Sequence, residues 1–69
     1  MYINIEIKTN SAETLDRVSR ALASEPTKHS TVSCGYNYLN IMYDCSKNEL
    51  SKIKKHWRES VPECLIVSV

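Results

Sequence analysis

Apolar and polar residues alternate strictly at the start of the chain. In YINIEIK, Ile3, Ile5 and Ile7 fall on one side and Tyr2, Asn4, Glu6 and Lys8 on the other. A period of two, with β-branched residues on one face, predicts a strand that buries that face. The period then changes. Leu15, Val18, Ala21 and Leu22 recur at helical spacing, which predicts an amphipathic helix. Asn10 or Ser11 opens it, with Glu13 three residues after Asn10 as a capping box requires. Pro26 closes the segment, because the residue before a proline is pushed out of helical geometry.

The stretch VSCGYNYLNIMY, from Val32 to Tyr43, alternates again and holds the only glycine. Val32 and Cys34 must share a face, as must Leu39, Ile41 and Tyr43. A two-residue turn at Gly35-Tyr36 or Tyr36-Asn37 sets Val32 opposite Leu39 or Ile41 and keeps the faces sorted. Ser46 and Glu49 form a second capping-box pair, and Leu50, Ile53, Trp57 and Val61 give one buried helical stripe. Pro62 ends that helix, and CLIVSV predicts a short last strand. The order is β-α-β-β-α-β in a single domain, residues 1–69. Two helices on one face of a four-stranded antiparallel sheet make a ferredoxin-like α+β fold. Right-handed crossovers then give the strand order 4-1-3-2.

Composition narrows the function. A chain of 69 residues buries only about 60% of its unfolded surface, which leaves little room for a deep, dry active site. No acid/base pair, nucleophile motif, phosphate loop or metal-ligand spacing stands out, so the expectation is a protein that is not an enzyme and needs no cofactor. Nine Lys and Arg balance eight Asp and Glu. No apolar run reaches membrane-span length, and the amino terminus has no secretory pattern. The three cysteines (Cys34, Cys45, Cys64) are odd in number and widely spaced. They read as small semi-buried hydrophobes in a reducing cytoplasm. His56 reads as a surface histidine and Trp57 as a core anchor.

Three surfaces are candidates for binding. Lys47, Lys52, Lys54, Lys55 and Arg58 crowd the second helix and suit phosphate or an acidic protein. The open sheet face would carry Tyr2, Asn4 and Glu6 beside Tyr38, Asn40 and Met42. The last strand offers Leu65, Ile66, Val67 and Val69 at a sheet edge without a charge or proline after Glu63. Such an edge recruits a second copy or a partner strand. The other edge, STVS, is short and polar and reads as protected.

Two family resemblances bear on these surfaces. CGYNYLNI resembles the octamer of RNA recognition motifs at Gly35, Tyr36, Tyr38 and Leu39, and MYINIE is similar to the companion hexamer at Tyr2 and Ile3. Cys34, Asn37 and Ile41 stand where that family has a basic, a small and an aromatic residue. The resemblance implies single-stranded RNA stacked on the sheet. Over nearly the whole length, the alternating first strand, the helix from SAE to RAL, the EP loop, the Leu39–Ile41 hairpin and Leu50 in the second helix resemble a different family. It is the small dimerising subunit of the KEOPS complex, which helps install threonylcarbamoyl-adenosine on tRNA. Leu50-Ser51 and Lys55-His56 depart from its second-helix pattern, and Pro62 ends that helix early. This resemblance implies a non-catalytic homodimer that bridges larger subunits. The expectation is a cytoplasmic protein-interaction module of this bridging kind. The alternatives are a compact phage-type inhibitor of a host complex, or an RNA-binding module.

Overall fold

The structure, a computed structural model, describes residues 1–68. Its elements run β1 (Tyr2–Lys8), α1 (Ala12–Ala23), β2 (Thr31–Gly35), β3 (Tyr38–Asp44), α2 (Lys47–Ser60) and β4 (Leu65–Ser68). The sheet order is β2-β3-β1-β4 with every neighbouring pair antiparallel. This is the ferredoxin-like α+β arrangement read from the sequence, with strands one and three in the centre.

The alternation of β1 works as its pattern dictates. Ile3, Ile5 and Ile7 are fully buried against Ile41, Tyr43, Val18, Ala21, Ile53, Trp57 and Val61. The α2 capping box forms in full: Ser46 accepts from the Glu49 N–H (3.3 Å), and the Glu49 carboxylate accepts from the Ser46 N–H (2.9 Å). In α1 the box expected at Asn10 and Glu13 does not form. Ser11 is the N-cap, accepting from the Thr14 N–H at 3.3 Å, and the residue three places on is Thr14, which cannot reach back as a glutamate would.

The buried arc of α1 is also turned from the expected stripe. Thr14, Val18 and Ala21 are buried, whereas Leu15 is 46% exposed. At about 100° per residue, Leu15 lies about 60° from Val18 on the side away from Thr14 and Ala21. The Ala21 side faces α2, since the His56 Nε2–H donates to the Ala21 carbonyl at 2.8 Å. Leu15 therefore looks outward over β2.

The hairpin turns on Tyr36-Asn37 and sets Val32 opposite Ile41 and Cys34 opposite Leu39. Asn37 alone takes positive φ (55°), so the turn is not the type I′ form, which needs two such residues. The last strand is one residue shorter at its start than CLIVSV suggests, and Val69 lies outside the described residues.

Candidate interaction surfaces

The five cations of α2 do not share one face. Taking Ile53 as the buried reference, Lys47, Lys54 and Arg58 lie about 100–140° round the helix on one flank. His56 points the other way, to α1, and packs edge-on against Trp57 at 5.8 Å. It is half-buried and bridges the helices, which corrects the expectation of a surface histidine. Lys55 sits on the outer side, 4.0 Å from Glu59, and Lys52 lies about 60° from it toward the α1 side, where it acts on Glu49. Lys47, Lys52, Lys54 and Arg58 make no ion pair among the described residues.

Topology places the Lys47-Lys54-Arg58 flank. Helix α2 carries the chain from β3 to β4, passing over β1, while α1 crosses from β1 to β2 over β3. The flank of α2 opposite α1 thus overlooks the outer edge of β4. Cys64, just before β4, agrees with this placement. Burial pushes its thiol above the ordinary value, and Arg58 is among the nearby groups that pull it back.

The hydrogen-bond alternation shows which backbone groups each edge offers. The Cys45 N–H donates to the Met1 carbonyl (2.9 Å) and the Thr9 N–H to the Asn37 carbonyl (3.1 Å), so the odd residues of β1 bond to β3. The even ones turn to β4, where Asn4 meets Val67 and Glu6 meets Leu65. Ile66 and Ser68 are left with N–H and C=O pointing outward. By the same alternation the even residues of β3 serve β2, and Val32 and Cys34 point theirs outward.

The side chains of the two edges differ. On β4, Ile66 faces the helices and packs against the core, whereas Leu65 (62% exposed) and Val67 lie on the open face. On β2 every residue is exposed. Val32 (43%) and Cys34 face the helix side, but no helix reaches over them. No charged residue occurs between His29 and Asp44. The expectation that this edge is the protected one is therefore corrected. Its one irregularity is at the start, where the Ser30 N–H reaches the Met42 carbonyl (2.8 Å) although Thr31 is the register partner of Met42. Cys34 is likewise exposed rather than semi-buried. Beside it, a shallow groove of about 310 Å³ runs between β2 and α1, lined by Ile7, Leu15, Cys34, Gly35 and Leu39 among others.

The open face is flatter and more polar. Tyr2 is half-exposed, the Tyr38 hydroxyl donates to Glu6 at 3.2 Å, and Tyr36 stands off the sheet in the turn. Burial, with Glu6 beside it, raises the Tyr38 phenol pKa. Asn4 and Asn40 are diagonal neighbours on this face, and their amide oxygens have no hydrogen-bond partner among the described residues. Met42 is half-buried beside Asn4.

Sequence reading missed one polar chain inside the protein. The Trp57 Nε1–H donates to the Tyr43 hydroxyl (2.9 Å), which donates to Glu25 (2.7 Å), and His29 Nδ1 lies 2.9 Å from the same carboxylate. Burial pushes the Glu25 carboxyl up, but hydrogen bonds from Tyr43 and His29 outweigh it and hold it below the ordinary range. Burial and Glu25 together push the Tyr43 phenol far up. Glu25 and His29 are four residues apart, but Tyr43 and Trp57 lie 18 and 14 residues from their partners, too far for any local pattern to join them. They fasten the loop after α1 to the core. At the other end of the helix layer, Arg17 clasps Glu63 through two hydrogen bonds (2.8 and 2.6 Å).

Among the described residues, no cluster of His, Cys, Asp and Glu is arranged to hold a metal ion, and no helix is long and apolar enough to cross a membrane. No family model, curated protein or solved structure matches the chain.

Proposed function

We propose that the protein is a non-enzymatic interaction module that joins a second copy of itself through β2 and so bridges larger partners. The exposed β2 edge carries this reading. It is five residues long, uncharged, free of proline, and presents the N–H and C=O of Val32 and Cys34 to solvent. Isolated edges are normally blunted by lysine, proline or a covering element, because open backbone groups recruit strands. An antiparallel edge is self-complementary about a two-fold axis. A net charge of +1 sets little repulsion against such pairing. Leu15 and the groove beside Cys34 give the paired copy apolar surface to cover.

A self-pairing subunit with a second contact surface is what the KEOPS resemblance implies, and in that version the larger partner belongs to a tRNA-modifying assembly. RNA stacking on the open face finds less support. Glu6 holds Tyr38, Tyr36 stands away from the sheet, and the cations of α2 are split between two faces.

Cys34→Pro tests the reading. The Cys34 N–H points outward, so proline there removes a recruiting group and spares the β2–β3 ladder. Light scattering across a concentration series should show a dimer for the parent chain and a folded monomer for the variant. A parent chain that stays monomeric at high concentration overturns the proposal.

A further inference from the structure

The β4 edge differs from β2 in what stands above it. Lys47, Lys54 and Arg58 form a row of cations along the flank of α2 that overlooks Ile66 and Ser68, whose backbone groups point outward. The acids nearby are already engaged. Glu63 is clasped by Arg17 and Glu59 lies by Lys55, while Glu49 is on the other side of α2, toward α1, where it accepts from Thr27. On the opposite side of the same strand, Leu65 and Val67 show apolar surface on the open face.

We infer that the β4 edge takes an extended acidic segment of a partner protein as a fifth strand, with acidic side chains at alternate positions under Lys54 and Arg58 and apolar ones beside Leu65 and Val67. Spacing supports alternation. Four residues of helix advance about 6 Å from Lys54 to Arg58, close to the roughly 6.8 Å between alternate residues of a strand. Successive strand residues point to opposite faces, so one segment meets the cations with one set of side chains and the apolar pair with the other. Main-chain pairing supplies the common part of such affinity and the side chains supply selection. The charges steer approach and exclude a basic segment. This surface is on the sheet edge opposite β2, so its failure leaves the proposed self-association standing, and the reverse.

Three blocked peptides probe it against ¹⁵N-labelled protein. One alternates glutamate and valine, one has the same residues with the glutamates grouped at one end, and one alternates lysine and valine. The alternating glutamate peptide should bind, shift the Ile66 and Ser68 amides and slow their hydrogen exchange. Lys54→Glu with Arg58→Glu should weaken it by about tenfold or more and flatten its salt dependence, while Lys54→Arg retains it. Arg58→Glu alone, at an exposed position, checks the result free of any folding effect. Equal binding of the grouped or lysine peptide, shifts confined to β2, or unchanged affinity in the charge-reversed variants would overturn the assignment. A uridine oligomer that binds Lys54 and Arg58 without protecting Ile66 and Ser68 would also overturn it, and would mark the flank as a nucleic-acid surface.

Discussion

The two edges of this sheet are both uncharged strands of four or five residues, yet they are held in different ways. Strand β4 lies under α2, and its Ile66 closes onto the core with Ile53 and Trp57. Strand β2 reaches past the helix layer, with all five residues exposed and only its ladder to β3 to hold it. The sheet is four strands wide, and α1 leans toward α2 through Ala21 and His56. The uncovered margin therefore falls on the β2 side. Edge composition alone does not tell which edge is guarded; the position of the nearest helix does.

The largest expected effect breaks the comparison at its firm side. Trp57 is fully buried and bonded to Tyr43, so Trp57→Ala should cost about 3–5 kcal/mol. In a 69-residue domain that is most of the stability available. Urea denaturation followed by circular dichroism measures it. A loss near that of a surface substitution would mean α2 is not the anchor described.

A matched pair sharpens the contrast. Ile66→Ala on β4 and Val32→Ala on β2 shorten side chains that face the same way from opposite edges. The first should cost about 1–3 kcal/mol, at the low end for a partly buried side chain, and the second should stay within about 0.5 kcal/mol in dilute monomer. Equal losses would dissolve the distinction. Ile66→Lys is a poor test of binding for the same reason, since it would put a charge against the core.

The smallest expected effect is acid sensitivity on the α2 side. The hydrogen bond from Thr27, with those from Ser46, holds the Glu49 carboxyl at about 2, against an ordinary value near 4.5. Between those values the unfolded chain binds the extra proton. Its stabilising contribution is therefore present above about 4.5 and is lost as pH falls toward about 2. Glu25, also held low, acts in the same direction. Glu49→Gln should flatten the fall in stability across this window, and an unchanged slope would remove Glu49 as its source.

Much of this fold is legible because its signals are local. The period-two pattern of Ile3, Ile5 and Ile7, the Ser46–Glu49 box and the two-residue turn each sit within a few residues, and each formed. Apart from the Asn10–Glu13 box, a local reading displaced by Ser11 as N-cap, the misreadings concern relations between elements. Leu15 fits the stripe of its own helix, but whether that stripe meets sheet or solvent depends on where α2 stands. Thr14 takes the buried place because its hydroxyl accepts from Arg17 (3.2 Å). For the candidate surfaces, the cations of α2 were visible as a group, whereas their division between the β4 flank and the rest of the helix follows from which side faces α1. The Glu25 contact with Tyr43 spans 18 residues and leaves no mark in either segment.

The buried Trp57–Tyr43 contact has an optical consequence. Trp57 is the only tryptophan in the chain, and its indole is shut away from water with its N–H tied to a phenol. Its fluorescence should therefore be blue-shifted in the native state and move to the red on unfolding, from a single emitter. Because that phenol is fastened in turn to Glu25, loosening of the loop after α1 registers in the same signal. The protein carries its own label at the junction of sheet, helix and loop, and no dye need be attached to a surface that binds something else.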